Sequence, residues 1–472
     1  MIHHLLTEYM APMMFGGMMI FLILGYPAAF SLAACGLFFG FLGIEMGMIQ
    51  PNFLGNLTYQ LHGVVTNELL LSIPFFTLMG AILERCGLAE DMLDSIGQLF
   101  GPVRGGLSYA VIIVGAILGA ITGTVAASVI AMGLISLPLM MKYGYDMRHA
   151  TGVIAASGTI TQLIPPSLVL VVLAQQMGTD VGSMYAGAIG PSIVQTVIFM
   201  LWVLVVSIIW PDKVPALPLE ARSLQGWALV AKCMKGMVPS LALIFLVLGT
   251  ILLGWATPTE AGAMGAVGSL ALAAMYGTLS WKLTWEGMTT TMRITALVLM
   301  ILIGARVFSL VFQGVGGKEW IENMLANLPG GKVGFLVFTQ LFIFVIAFFL
   351  DFFEIAFIIV PLLVPVAQKL DINIVWFGVL ICANVQTSFM HPPFGFALFY
   401  LRGIAPPEIK SSDIYWGAIP WVVMQLILVA MLIFWPGMVT YWLEKPKVID
   451  PSKIELRLPT IEMPKLNLPG QK

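Results

Sequence analysis

SGTITQLIPPSLVLVV (157–172) sets two consecutive prolines, Pro165 and Pro166, in the middle of an apolar run. Proline has no N–H to donate, and its ring clashes with the carbonyl four residues back, so the pair must interrupt a helix. A second stretch, ANVQTSFMHPPFGFALF (383–399), places Pro392 and Pro393 in the same setting 227 residues later. At membrane depth, broken backbone is tolerated only where it is buried in protein or lines a cavity. Two such breaks at matching positions in two halves of a chain point to a binding site in a transporter.

The surroundings of these stretches fix the class. Of 472 residues, 59% are apolar and 10% charged, against about 25% charged in a soluble domain. The expectation is an all-α polytopic membrane protein, since the period-two alternation of an outer-membrane barrel is absent. A net charge of −2 suggests no nucleic-acid partner. Cys35, Cys86, Cys233 and Cys382 show neither metal spacing nor a disulfide framework, and are read as small core hydrophobes. The N-terminal MIHHLLTEYM lacks the basic region of a cleaved signal, so the first apolar segment is read as a retained span.

Two apolar segments have the wrong length for simple spans, each of which needs about 20 residues. From Gly106 to Leu137 no charge interrupts the chain, and the centre reads GAITGTVAAS around Thr122-Gly123-Thr124. The region 333–364 is similar, with FFLDFFE around Asp351 at its centre. Tilt absorbs excess length, but it does not explain polar residues at both midpoints. Both segments are therefore expected to be re-entrant helical hairpins, and 151–176 and 373–401 to be discontinuous helices. Gly25-Tyr26-Pro27 marks a turn between two spans, and 51–67 is too polar to span, which suggests an arm in the bilayer interface. The expected division is 1–67 for scaffold spans and arm, 68–209 for a first repeat, 210–225 for a linker, 226–443 for a second repeat, and 444–472 for a disordered, Lys-rich tail on the cytoplasmic side.

The halves align. At an offset of 227, Pro138 meets Pro365, Lys142 meets Lys369 and Thr124 meets Asp351. Further on the offset becomes 230, where YAGAI (185–189) meets YWGAI (415–419) and Gln195 meets Gln425. An odd number of crossings per unit would make the repeats inverted.

Pro165 frees the carbonyl of Thr161 and Pro392 that of Ser388, so each break offers a liberated carbonyl beside a hydroxyl. Ser157, Thr159 and Gln162 flank the first, and Asn384, Gln386, Thr387 and His391 the second. Oxygen clusters of this kind suit a hard cation such as Na⁺. Gly123 allows a tight turn at the first hairpin tip, Thr122 and Thr124 add hydroxyls, and Asp351 adds a carboxylate that suits a cation or a proton. Taken singly, such Ser and Thr residues serve ordinary helix–helix hydrogen bonding; around two breaks and two tips they favour a site. Glu260, Arg306, Asp351 and Glu354 are ionisable residues in apolar surroundings, which by default are functional candidates. Thr257 and Pro258 suit an N-cap and first helical turn, where Glu260 meets the helix dipole. Arg306 suits a substrate carboxylate, or equally a pairing with Glu260 or Glu354. His391 stands as a candidate proton relay, or as a simply hydrogen-bonded histidine.

Six stretches give the chain a family likeness: SIPFFTLMGAILE (72–84), GAITGTVAASVIAMG (119–133), ASGTITQLIPPS (156–167), GWATPTEAGA (254–263), FFLDFFEIAFIIVPLLVPVA (348–367) and SFMHPPFGFALF (388–399). Together they resemble the large membrane subunit of a tripartite ATP-independent periplasmic (TRAP) transporter, over residues 1 to about 443. The resemblance implies an ion-transporter-superfamily-like fold with inverted repeats and a scaffold around a moving, elevator-type transport domain. It implies Na⁺-driven import of a carboxylate across the bacterial inner membrane. The implied partners are a small four-helix membrane subunit, carried on a separate chain, and a periplasmic substrate-binding protein. By position, one Na⁺ site would join Gly123 and Thr124 to Thr161, Ile164 and Pro165. The other would join Phe349 and Asp351 to Ser388, His391 and Pro392. Substrate would meet Thr122, Thr124, Asp351, Ser388 and Arg306.

Three positions depart from the family pattern. Gly123-Thr124-Val125 stands for the usual Gly-Ser-Ser, a phenylalanine (Phe348 or Phe349) for a tip glycine, and His391-Pro392-Pro393 for Thr-Pro-Pro. The bulkier second tip implies a less typical, more apolar substrate. The competing reading is a self-sufficient carboxylate transporter of the same fold, coupled to H⁺ or Na⁺ without a binding protein. An intramembrane enzyme is disfavoured, because no nucleophile–base pair or metal motif stands in any apolar segment.

Overall fold

The computed structural model describes residues 7–122, 125–222, 226–393 and 395–443. Gly123, Thr124 and the basic tail 444–472 lie outside these. Among the described residues all regular structure is helical, and six helices are long and apolar enough to cross a membrane, or seven if one bent pair counts as a span. The chain is a multi-pass membrane protein.

The chain opens with α1 (Met10–Ile23) and α2 (Ala28–Glu45), parted at Gly25-Tyr26-Pro27 as the sequence suggests. α3 (Asn56–Val65) covers most of the polar 51–67 stretch and buries Val64 alone. Together with the turn before it, α3 is bent by 46° from the segment ending in α4 (Ser72–Arg85). α5 (Leu88–Leu99) is an amphipathic helix that the apolar-segment reading passed over, because its Glu90, Asp91 and Asp94 interrupt the run.

The first anomalous segment is two helices, α6 (Gly106–Thr122) and α7 (Val125–Lys142), so the second arm runs past the expected end at 137. Then come α8 (Met147–Thr159), a single 3-10 turn at Ile160–Gln162, the prolines, α9 (Leu168–Met177) and α10 (Val181–Ile209). The expected linker is held down: Leu217 N–H donates to Gly101 C=O (2.9 Å), and Val214 is buried.

α11 (Gly226–Leu252), α12 (Pro258–Met275) and α13 (Trp281–Gly314) follow. α13 is 34 residues long and starts nine residues before the apolar segment at 290, because Ser280 caps it through Leu283 N–H (3.2 Å). α2 lies along it with small residues at the seam: Gly36, Gly40 and Gly43 face Val307, Val311 and Val315. Small residues let membrane helices approach closely.

α14 (Gly317–Ala326) precedes the second anomalous segment, which is again two arms. These are α15 (Gly331–Ile346) and α16 (Phe352–Lys369), the latter containing a π turn at Ile355–Ile359. α17 (Ile374–Ser388), the second break, α18 (Phe396–Ile404), α19 (Ser411–Phe434) and a last short turn at Gly437–Thr440 complete the order.

The repeat holds at the level of elements. α7 and α16 start at 125 and 352 and end at 142 and 369, each pair 227 apart. Asp146 caps α8 through His149 N–H (3.0 Å), and Asn373, its counterpart, caps α17 through Trp376 N–H (2.9 Å). Each cap stabilises its helix start by about 1 kcal/mol.

Contacts give the directions. Gly115 of α6 lies on Ser157 and Gly119 on Thr161, so α6 runs parallel to α8. α7 returns the other way, with Val129 on Gly158 and Val125 and Ala126 beside Gln162. In the second half Phe335, Gln340 and Phe344 of α15 meet Phe377, Asn384 and His391 in step. Its start is tied to the segment after α16, where Lys332 Nζ donates to Asp371 C=O (3.0 Å).

α8 lies parallel to α19, through Arg148–Asp413 (3.1 Å) at one end and Thr159–Gln425 (3.0 Å) at the other. α19 runs antiparallel to α17, since Trp376 Nε1 donates to Leu432 C=O (2.9 Å) while Gln425 meets Met390 (3.6 Å). The equivalent helices α8 and α17 are therefore antiparallel.

Candidate functional site

The arithmetic of the two prolines survives in the folded chain. Leu163 and Ile164 N–H groups both turn back to Ile160 C=O (3.0 and 3.3 Å), and residues 165 and 166 have no N–H. No described residue donates to the carbonyl of Thr161. At the second break Met390 N–H goes to Thr387 C=O (2.9 Å), and no described residue donates to Ser388 C=O. Both Pro-Pro bonds are cis.

The hydroxyls beside these carbonyls point their protons away. Thr161 Oγ1 donates to Gly158 C=O (2.9 Å) and Ser388 Oγ to Val385 C=O (2.6 Å). A hydroxyl has one proton and two lone pairs, so each oxygen keeps acceptor capacity next to an unused carbonyl. Thr161 is fully buried and Ser388 nearly so. α6 crosses hard against the first break: a Cβ on Gly119 would stand 2.7 Å from Thr161 Cα.

Thr161, Ile164 and Pro165 sit together at the first break, while Gly123 and Thr124, expected to complete that group, lie outside the described residues, as does the side chain of Thr122. At the second break, Ser388, His391 and Pro392 belong to one unwound segment. His391 does not face a polar partner: it is 1% exposed, lies between Phe344 and Phe348 with ring centroids at 4.3 and 4.2 Å, and neither ring nitrogen is hydrogen-bonded among the described residues. Phe349 is half exposed in the turn between α15 and α16. Asp351 caps α16 in a reciprocal box: Glu354 N–H donates to Asp351 Oδ1 (2.9 Å), and Asp351 N–H to Glu354 Oε2 (3.0 Å). Arg306 stands apart on α13, with no ion pair to Glu260 or Glu354. Glu260 is in a capping box with Thr257 at the start of α12, the arrangement that Thr257-Pro258 suggested.

One cavity of about 230 Å³ lies where the halves meet. From the first repeat it takes the first turns of α7 (Val125, Ala126) and α9 (Leu168, Val169), with Gln162 between them. From the second it takes the first turn of α16 beside Asp351 and the first turn of α18, with Phe389 at the position equivalent to Gln162. Ile294 and Leu297 of α13 close the remaining side. Four helix N-termini thus converge on one space, and helix N-termini attract negative charge. The sequence reading missed the aromatic wall of Phe352, Phe353, Phe389, Phe396 and Tyr400. Its signal was present, since all five lie within the expected second hairpin and second broken helix, but single aromatics in apolar runs read as core.

Behind the cavity the repeats lock reciprocally. Gln425 of α19 donates to Thr159 Oγ1 of the first repeat (3.0 Å), and Gln386 of α17 donates to Gln195 Oε1 of α10 (3.4 Å). Gln425 is the repeat counterpart of Gln195, and Gln386 that of Thr159, so one contact is the pseudo-symmetric image of the other.

The family model described as "Tripartite ATP-independent periplasmic transporter, DctM component" matches residues 15–438. The C4-dicarboxylate TRAP transporter large permease protein DctM of Pseudomonas aeruginosa is 26% identical over 392 residues, 83% of this chain and 90% of that protein. The sialic acid TRAP transporter large permease protein SiaM of Vibrio cholerae is 28% identical, covering 88% and 94%. The 2,3-diketo-L-gulonate TRAP transporter large permease protein YiaN of Escherichia coli is 24% identical, covering 88% and 95%. Among solved structures, the YdaH transporter of Alcanivorax borkumensis shares the fold with a TM-score of 0.57, at 15% identity over 84% of this chain and 89% of that one.

Proposed function

The chain belongs to the DctM component family of the tripartite ATP-independent periplasmic transporters, and from that premise we propose that it is a Na⁺-driven permease importing an organic acid by an elevator movement. It would work in the bacterial inner membrane with a small four-helix membrane subunit and a periplasmic binding protein. α6–α7 and α15–α16 would be re-entrant hairpins in inverted repeats. α2, α4, α12 and α13 pack together and would form the scaffold against which the hairpins and broken helices move. The cavity, closed on one side by α13, would hold the substrate at that boundary.

The observation that carries the reading is the pair of unused carbonyls, Thr161 and Ser388, each beside a hydroxyl oxygen with its proton turned away. One Na⁺ would sit between Gly123, Thr124, Thr161, Ile164 and Pro165, and another between Phe349, Asp351, Ser388, His391 and Pro392. Mostly neutral oxygens avoid burying a fixed anion that stays charged when the ion leaves. Ions bound at both breaks would fix the hairpin ends against them and so shape the cavity that receives the carboxylate.

The test is uptake into proteoliposomes carrying both membrane subunits, with the cognate binding protein outside. Transport is expected to require a Na⁺ gradient. Thr161→Ala combined with Ser388→Ala is expected to raise the Na⁺ concentration for half-maximal uptake by roughly tenfold or more, since a contact to a charged group contributes about 1.5–3 kcal/mol. Uptake that ignores Na⁺ and follows a proton gradient would sink the Na⁺ assignment. An unchanged Na⁺ requirement in the double variant would remove both helix breaks from it.

A further inference from the structure

We infer that the substrate is a monocarboxylate with an aromatic or similarly flat apolar body. This deepens the reading of the cavity as the substrate site and rests on it.

The two repeats supply equivalent positions to the cavity with opposite chemistry. Where the first repeat has Val125, Ala126, Gln162 and Val169, the second has Phe352, Phe353, Phe389 and Phe396, with Tyr400 one turn further on. One wall is therefore aliphatic and amide-bearing, and the other is aromatic. Aromatic side chains offer large flat surface and favour ring partners in offset or edge-on contact. Among the described residues no lysine or arginine lines the cavity, so an anion must be held by something else. The first turns of α7 and α9, helices of 18 and 10 residues, direct their positive ends at the first-repeat side. Gln162 stands between them, 3% exposed, with its side-chain oxygen lacking a partner among the described residues. A primary amide carries two donors as well as an acceptor, so Gln162 can turn N–H groups toward a carboxylate placed there.

That placement puts the ligand's body against the aromatic wall. It also explains selectivity against a second acidic group, because Phe352, Phe353, Phe389 and Phe396 make up that wall. A dicarboxylate spanning the cavity would set its far charge against phenyl faces that offer it no hydrogen-bond donor, and an unpaired buried carboxylate is costly. A sugar acid would set hydroxyls against phenyl faces that return no hydrogen bond, and unmade hydrogen bonds are costly.

The experiment measures ligand-induced thermal stabilisation of the purified two-subunit membrane complex, in Na⁺ and in a Na⁺-free buffer, with phenylacetate, succinate and gluconate as probes. Phenylacetate is expected to stabilise the complex in Na⁺ at concentrations where succinate and gluconate do not. Phe389→Ala is expected to weaken phenylacetate by roughly tenfold or more, the scale of losing apolar contact in a pocket. The milder Phe389→Leu guards against misfolding and is expected to fall between. Succinate or gluconate binding as tightly as phenylacetate, absence of phenylacetate binding, or unchanged affinity in both Phe389 variants would each overturn the inference. Na⁺-dependent succinate binding would do so while leaving the Na⁺-driven reading intact. Na⁺-independent phenylacetate binding would do the reverse.

Discussion

Gly119→Ala is expected to reduce Na⁺-dependent uptake by about a hundredfold while the protein still assembles in the membrane. A Cβ at 119 would lie 2.6 Å from Thr161 Cγ2 and 2.7 Å from Thr161 Cα. Carbon atoms settle at about 3.5–4.0 Å, and a backbone atom cannot rotate out of the way. α6 and the first break must therefore separate by roughly 1 Å, which moves the Thr161 carbonyl out of place for the proposed ion. A shift of that size at a reacting or coordinating centre costs about 10²-fold. The cost to folding is smaller, about 1–3 kcal/mol for an overpacked contact.

Gly115→Ala separates the two effects. Its Cβ would meet Ser157 Cβ at 2.6 Å, an equally tight contact one turn before the break. It is expected to lower thermal stability as much as Gly119→Ala but to leave the Na⁺ requirement closer to wild type. Gly63→Ala, with nothing within 4 Å, serves as the neutral control. Wild-type uptake and Na⁺ affinity in Gly119→Ala would mean that the crossing of α6 over Thr161 does not shape the ion site.

Why some of this arrangement could be read from the chain and some could not follows from the range of the interactions. Pro165 and Pro392 act on their own helices, so the interruption and the freed carbonyls follow from covalent structure alone. That each anomalous segment is two helices follows from its length and from polar residues at its midpoint. The 227-residue offset survives because equivalent helices in the two halves need the same caps, as Asp146 and Asn373 show. The reciprocal pairs Gln425–Thr159 and Gln386–Gln195 join residues 266 and 191 positions apart, and nothing in either neighbourhood announces the other. α5 and α14 escaped because their charged first turns look like loops in an apolar count. The Asp351–Glu354 box was legible as an Asp-x-x-Glu spacing. It was passed over because an acid in an apolar run draws attention as a ligand before it does as a cap.

Asp351→Asn is the variant that parts those two roles, and it is expected to abolish the cooperative part of Na⁺-dependent uptake with little change in stability. Asparagine caps a helix about as well as aspartate, so α16 keeps its start and its hydrogen bond from Glu354 N–H. The charge alone is lost. That charge is the one to question, because Asp351 and Glu354 hold two carboxylates within one helical turn, and neither pairs with a lysine or arginine among the described residues. Carboxylates within a membrane bundle carry a substantial cost unless a partner offsets it. The Na⁺ proposed between Asp351 and the Ser388 carbonyl would be such a partner. In the asparagine variant the second ion is expected to bind at least tenfold more weakly, the loss of one charged contact at about 1.4 kcal/mol per decade, and the Na⁺ dependence is expected to turn from sigmoidal to hyperbolic. Asp351→Ala, which removes cap and charge together, is expected to lose about 1 kcal/mol of stability as well. If Asp351→Asn transports like wild type while Asp351→Ala is merely less stable, the residue is a cap and the second ion site lacks its anion. If instead the asparagine variant keeps its Na⁺ curve and loses its dependence on external pH, the carboxylate carries a proton, and the two helix breaks use different coupling ions.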